Sequence, residues 1–135
     1  MRKTYNHSKF NNKKTIIDGI VFPSKLEAER YMELKELENN GLIVNLRLQV
    51  EFELIPSFKK NNKTYRKCVY KSDFTYFDVM QQKQIVEDTK GFKTDVYKIK
   101  KKLFEYTYPD LEITEIKKEE KGIIIRMVSK SAIWG

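Results

Sequence analysis

Ile85-Val86-Glu87-Asp88-Thr89-Lys90-Gly91, with Thr94 three residues further on, is the stretch on which the fold turns. Up to Thr89 it reads as a short strand, and Lys90-Gly91 closes it. Thr94 can cap a helix, because its hydroxyl accepts a first-turn backbone N–H that has no partner within the helix. The helix predicted from there places Val96, Ile99, Leu103 and Phe104 on one side, with Tyr106 continuing it and a basic surface opposite, until Tyr108-Pro109-Asp110 breaks the pattern. Beyond the break, Leu111 to Ile116 and Ile123 to Val128 read as strands separated by the charged turn Lys117 to Gly122.

Upstream, Tyr65 to Phe77 is rich in aromatic and β-branched residues and predicts a strand. Before it, Leu46, Leu48, Val50, Phe52 and Leu54 alternate with polar Arg47, Gln49, Glu51 and Glu53, the period of a half-buried strand that Pro56 ends. Lys59-Lys60-Asn61-Asn62-Lys63 reads as a basic loop between the two. The first helix is predicted from the capping box Ser24-Lys25-Leu26-Glu27 to the stop at Asn39-Asn40-Gly41. Asp18-Gly19 marks a hairpin within Thr15 to Phe22, and residues 1–14 form a basic arm with Arg2, Lys3, Lys9, Lys13 and Lys14 and no acid. The predicted order is α-β-β-β-α-β-β, a single α/β (α+β) domain over residues 15–135 behind that arm.

Composition narrows the partners. The chain has 135 residues, the size of one domain, with 27 Lys and Arg against 19 Asp and Glu, a formal charge of +8. A field of that sign draws polyanions, so nucleic acid is the first expected partner. The longest aliphatic run, Ile123 to Ile125, is far short of the roughly 20 residues of a membrane span, and the N-terminus is polar, so a soluble protein that stays where it is made is expected. One cysteine, Cys68, and one histidine, His7, cannot build a Cys/His metal cage, which argues against zinc. Cys68 reads as a small apolar filler, and Trp134 lies in an apolar tail suited to packing on the domain or at a subunit interface.

Three acidic positions stand out. Glu27 projects onto the helix face between Tyr31 and Leu34, where a bare carboxylate costs several kcal/mol to bury; reaching back to the Ser24 N–H is the simpler account. Asp73 interrupts the aromatic strand Tyr70-Lys71-Ser72-Asp73-Phe74, where Asp is poorly suited, although a solvent-facing edge position would tolerate it. Alternation along the third strand puts Asp88 and Lys90 on one face and Glu87 with Thr89 on the other. Each signal alone is weak in a chain that is 34% charged. Together, three carboxylates from a helix and two adjacent strands suit a hard divalent ion such as Mg2+, which can activate water and neutralise charge on a phosphodiester. Lys90 would orient the attacking water or offset transition-state charge, and the basic stretches Lys59 to Lys71 and Lys90 to Lys102 would hold the phosphate backbone.

Phe22-x-Ser24-x-x-Glu27, Tyr70-x-x-Asp73-Phe74 and Val86-Glu87-Asp88-Thr89-Lys90-Gly91 resemble, in order and spacing, the small phage-encoded members of the PD-(D/E)XK nuclease superfamily, from about Phe22 to Val128. The layout is similar to that of phage Holliday-junction resolvases, including the Pro-containing entry into a strand at Tyr108 to Ile113. The resemblance implies a restriction-endonuclease-like α-β-β-β-α-β core with a mixed central sheet. It also implies a phage-encoded, Mg2+-dependent endonuclease, with Mn2+ as a substitute, acting on branched DNA in the host cytoplasm. Carried over by position, Glu27, Asp73 and Asp88 bind metal and Lys90 assists the attack. Two departures matter: Ser72 stands where the superfamily name has Pro, and Asp88 beside Glu87 replaces the usual Glu, so that alternation favours Asp88 as the ligand and a bulge would favour Glu87. Lys63, Arg66, Lys93, Lys98, Lys100, Lys101 and Lys102 are assigned to DNA by charge alone. Cutting both strands of a junction requires two sites, hence a homodimer. The competing expectation is a DNA-binding accessory protein on the same scaffold, with structural carboxylates and no catalysis.

Overall fold

The computed structural model describes residues 14–89, 93–118 and 124–127. The basic arm up to residue 13, Lys90, Gly91 and the tail with Trp134 lie outside them. In chain order the elements are β1 (Thr15–Ile17), β2 (Ile20–Phe22), α1 (Lys25–Asn39), β3 (Ile43–Leu48), β4 (Glu51–Ile55), β5 (Phe58–Lys60), β6 (Lys63–Tyr65), β7 (Cys68–Lys71), β8 (Phe74–Asp78), β9 (Lys83–Thr89), α2 (Asp95–Thr107), β10 (Ile113–Lys118) and β11 (Ile124–Met127). The fold is α+β, with two helices and a mixed five-stranded sheet of order β11-β10-β9-β8-β3. The β3-β8-β9 pairings are antiparallel, α2 carries the chain across to β10, which lies parallel to β9, and β11 closes the far edge antiparallel. A connection between parallel neighbours needs a crossover, and α2 supplies it.

Local chemistry sets both helix starts. Ser24 Oγ accepts the Glu27 N–H at 3.1 Å and Thr94 Oγ1 accepts the Tyr97 N–H at 3.1 Å. The hairpin β1-β2 turns at Asp18 and Gly19, both left-handed at φ 52° and 76°, the pairing that matches the twist of its strands.

The two long strands expected over 46–54 and 65–77 are each broken. Gln49 adopts φ 55°, so β3 bends out of the central sheet and continues as β4, while the return limb breaks at Ser72-Asp73 between β7 and β8. The bend is bridged by backbone bonds, Gln49 N–H to Asp73 O at 3.1 Å and Ser72 N–H to Val50 O at 2.9 Å. Beyond it β4 pairs with β7 and β5 with β6, so residues 43–78 form one antiparallel ribbon rooted in the sheet. The expected basic loop is the tip of this ribbon: Asn61 and Asn62, at φ 52° and 61°, close a tight two-residue hairpin. Alternation alone could not show the break, because a kink of one residue barely disturbs a period-2 pattern.

Ser72 is buried, and its hydroxyl also donates to Val50 O at 3.1 Å. Proline here would remove the N–H that bridges the bend, which accounts for its absence from this position. Ser72→Pro is expected to lower stability by about 1–3 kcal/mol in urea unfolding, with Ser72→Ala, which keeps the N–H, losing about 1 kcal/mol or less.

Two apolar clusters fill the two faces of the sheet. Ala28, Tyr31 and Leu34 of α1 pack with Phe22, Ile43, Phe74, Tyr76 and Ile85; Tyr97 and Phe104 of α2 pack with Leu54, Tyr70, Val86 and Ile113. The core side of α2 is therefore carried by Tyr97 and Phe104, seven residues apart, whereas Val96 and Ile99 of the expected apolar side are exposed. The expected side holds in its second half, where Phe104 is buried and Leu103 packs against the cluster, and fails in its first, because the Tyr97 ring takes the place beneath α2. Phe104 packs edge-on to Phe52 at 5.1 Å and against Tyr70 at 5.4 Å. Cys68 is half-buried against this cluster, as an apolar filler would be.

Candidate active site at the end of the central strand

Strand β9 is buried on both faces, and its alternation divides its two acids. Ile85 joins the α1 cluster and Val86 the α2 cluster, so Glu87 points toward α1 and Asp88 toward α2.

Glu87 is fully buried and held on both oxygens. Arg30 Nε donates to Oε2 at 3.0 Å, Arg30 Nη2 to Oε1 at 2.6 Å, and Tyr76 Oη to Oε1 at 2.5 Å. Burial works against the Arg30 charge, but the hydrogen bond and charge of Glu87 outweigh it and raise the guanidinium above its ordinary value. Such a forked pair ties α1 to the middle of the sheet. The alternative ligand Glu87 is thus engaged in a structural ion pair.

Asp88 is also buried, and its Oδ2 accepts the Tyr70 hydroxyl at 2.5 Å. Asp73 stands at the ribbon bend across from the end of β9. Its N–H donates to Glu87 O at 3.0 Å, and its Oδ2 accepts the Thr89 N–H at 2.7 Å and the Thr89 hydroxyl at 2.8 Å. Asp73 therefore engages the residues on either side of Asp88. Burial raises the Tyr70 hydroxyl far above the ordinary phenol range, and the charge and hydrogen bond of Asp88 add to the shift, with Tyr97 and Asp73 contributing less.

Glu27 is buried on the core face of α1, as its projection requires, one helical turn before Arg30. Among the described residues no three His, Cys, Asp or Glu side chains lie close enough together to hold a metal ion. Among the described residues Glu27, Asp73 and Asp88 thus form no metal-holding group of three; Asp73, at the ribbon bend, bonds to the residues on either side of Asp88, and Lys90 lies outside the described residues. An all-oxygen pair of this kind suits a hard cation, since Mg2+ commonly takes one or two carboxylates and completes its shell with water and phosphate.

The sequence reading missed Glu115, which lies opposite Asp88 in the parallel β9–β10 register. It accepts the Tyr97 hydroxyl at 3.2 Å and pairs with Lys101 at 3.1 Å and Lys93 at 3.2 Å. Burial opposes its ionisation, but Lys101 and then Lys93 hold its carboxyl below the usual range. The signal for it, an acid within the strand Ile113-Thr114-Glu115-Ile116, is readable only once β10 is known to lie beside β9. Above it, Lys93, Tyr97, Lys98, Lys101 and Lys102 line a cleft of about 330 Å³ with Glu105 and Glu115. Four of the lysines assigned to DNA are gathered there; Lys100 does not line the cleft, and Lys63 and Arg66 are on and beside the ribbon tip.

Tyr97 is raised well above the phenol range by burial and then by Asp88 and Glu115. With Tyr70 it gives a signed pH dependence: both phenols stay protonated in the fold at pH values where they ionise in the unfolded chain. Their contribution is complete below about pH 10 and is lost as pH rises from there. Stability is expected to fall steeply above about pH 10, with tyrosinate absorbance from these two rings appearing only on unfolding, and a Tyr70→Phe/Tyr97→Phe variant should flatten that fall.

The fold and the site together define an α+β protein with a buried Asp88 and a half-buried Asp73 near the end of a central strand, and a lysine-lined cleft that includes Glu115 of the adjacent strand. Residues 7–122 match the family described as Protein of unknown function (DUF1064), and the chain belongs to that family. No curated protein and no solved structure matches it.

Proposed function

We propose that this protein is a Mg2+-dependent DNA endonuclease that hydrolyses phosphodiester bonds in branched DNA, such as Holliday junctions and other replication or recombination intermediates. The observation that carries the proposal is that Asp73, at the ribbon bend, bonds to the residues on either side of Asp88, whose register partner Glu115 lines the basic cleft. A polyanion binder gains nothing from carboxylates there unless a cation intervenes. A bound Mg2+ would supply charge neutralisation at the phosphate and activation of water.

The chain's own residues do the positioning. Asp73 and Asp88 hold the ion, with Mn2+ as a substitute; Thr89 fixes one Asp73 oxygen and Tyr70 one Asp88 oxygen. Lys90, two residues past Asp88, carries the cation that offsets charge on the attacked phosphate. Lys93, Lys98, Lys101 and Lys102 hold the backbone, and Glu115 keeps Lys93 and Lys101 directed into the cleft. Cutting paired strands of a junction calls for two copies, hence a homodimer.

The test is cleavage of labelled four-way-junction, flap, single-stranded and linear duplex DNA with Mg2+, Mn2+ or chelator, comparing wild type with Asp73→Ala and Lys90→Ala. Metal-dependent cutting lost in both variants is the expected result. The second reading, a non-catalytic DNA-binding accessory protein, draws on one observation: among the described residues no three acidic groups converge. Binding on every substrate with cleavage on none would select it.

A further inference from the structure

The ribbon tip is strongly basic and carries an exposed aromatic pair. From Leu54 to Ser72 the chain has Lys59, Lys60, Lys63, Arg66, Lys67 and Lys71 and no acid. Every residue of β5 and β6 is exposed. Phe58 and Tyr65 face one another across the hairpin, rings 4.8 Å apart and within 8° of parallel, yet 46% and 38% exposed. The register pairs Lys60 with Lys63, and alternation puts both on the same face as the rings. The Lys63 ammonium sits over the Tyr65 ring, 5.1 Å from its centroid.

Internal packing does not account for this face, since the two rings are outside both apolar clusters and lie on strands bonded only to each other. A cross-strand aromatic pair steadies a hairpin, but that role does not call for cations beside the rings. A flat, exposed π surface flanked by cations, carried out of the sheet on a ribbon, is what an unpaired nucleotide requires: the base stacks and the phosphates on either side meet lysine. In paired duplex the bases are already stacked on one another and cannot reach such a platform.

We infer that the β5–β6 hairpin is a stacking platform for an unpaired nucleotide in single-stranded or branched DNA, with Phe58 and Tyr65 receiving the base and Lys60 and Lys63 the adjoining phosphates. This rests on the DNA-binding part of the function proposed above and names what the ribbon adds to it. The hairpin selects DNA that has unpaired bases, whereas the lysine cleft on α2 holds backbone of any kind.

The test uses the full chain with chelator present, so that binding is read without cleavage. The probes are an oligothymidylate carrying one 2-aminopurine, a duplex with one unpaired 2-aminopurine, and the fully paired duplex. Wild type is expected to quench the first two probes. Phe58→Leu/Tyr65→Leu, which keeps the charge and an apolar cross-strand pair, is expected to abolish the quenching and weaken binding of both about ten-fold, with paired-duplex affinity unchanged. Lys60→Gln/Lys63→Gln is expected to weaken the same probes and to lower the salt dependence of binding. Absence of quenching, or an equal effect of the Leu variant on paired and unpaired DNA, overturns the platform. Hairpin-dependent quenching in a protein that cleaves nothing when Mg2+ is added supports the platform and defeats the nuclease reading. Cleavage with Mg2+ that is indifferent to the Leu variant on every substrate defeats the platform and leaves the nuclease reading standing, while failure to bind any probe defeats both.

Discussion

Arg30→Ala is expected to lower the unfolding free energy by about 3–5 kcal/mol, read from the urea midpoint, a large part of the roughly 5–15 kcal/mol by which a domain of this size is stable. The reason is what stays behind. Glu87 is fully buried, and removal of the guanidinium takes away the donors to both of its oxygens, leaving the Tyr76 hydroxyl as its neighbour in an apolar layer. Of the two acids Arg30 touches, only this one matters greatly. Glu33, paired with Nη1 at 2.7 Å, is 46% exposed, and an ion pair of that kind is worth about 0–1 kcal/mol. The contrast that separates a broken pair from lost packing is Arg30→Met/Glu87→Leu, which removes both charges together. It is expected to recover stability to within about 1–2 kcal/mol of wild type, because the attraction in a buried pair is largely offset by its desolvation. A midpoint unmoved by Arg30→Ala would mean that the pair does not hold α1 to the sheet.

Asp88→Asn is expected to reduce Mg2+-dependent cleavage on the order of 10³-fold while leaving DNA affinity within about two-fold. The amide keeps the size of the carboxylate and can still accept the Tyr70 hydroxyl, so the fold around Val86 and Tyr97 is preserved and only the charge is lost. Tyr70→Phe addresses the same oxygen from the other side. Both carboxylates remain, but Asp88 loses its orienting donor, and the Mg2+ concentration for half-maximal cleavage is expected to rise about 10–100-fold. That shift distinguishes positioning from general destabilisation, which would lower the amount of active protein without moving the metal requirement. Full cleavage by Asp88→Asn in a preparation free of contaminating nuclease would remove Asp88 from the site, whereas absence of cleavage by wild type on every substrate would end the nuclease reading.

Both predictions depend on a division made on one strand. Alternation along Val86-Glu87-Asp88-Thr89 separates the two acids and favours Asp88 as the ligand, but it does not show what each of them meets. That required Arg30, 57 residues away, to be found against Glu87 and Tyr70 against Asp88. A charged residue on a helix is ordinarily solvated, so Arg30 carries no mark of burial until α1 is laid on the sheet. Glu115 is likewise unreadable without the parallel β9–β10 register.

What the sequence by itself determined is local: the capped starts of both helices at Ser24 and Thr94, the hairpin at Asp18-Gly19, the core-facing position of Glu27, and the order of helices and sheet strands. These follow from bonds and periodicities that span a few residues, so neighbouring residues suffice to read them. Only the tertiary structure decided that two expected strands bend at Gln49 and Ser72-Asp73 into one ribbon, that Tyr97 joins Phe104 on the core side of α2 while Val96 and Ile99 face out, and that Glu87 is bound to Arg30 while Asp88 accepts the Tyr70 hydroxyl. Each of these is settled by which large side chain fills a space, or which buried charge finds a partner, between segments far apart in the chain.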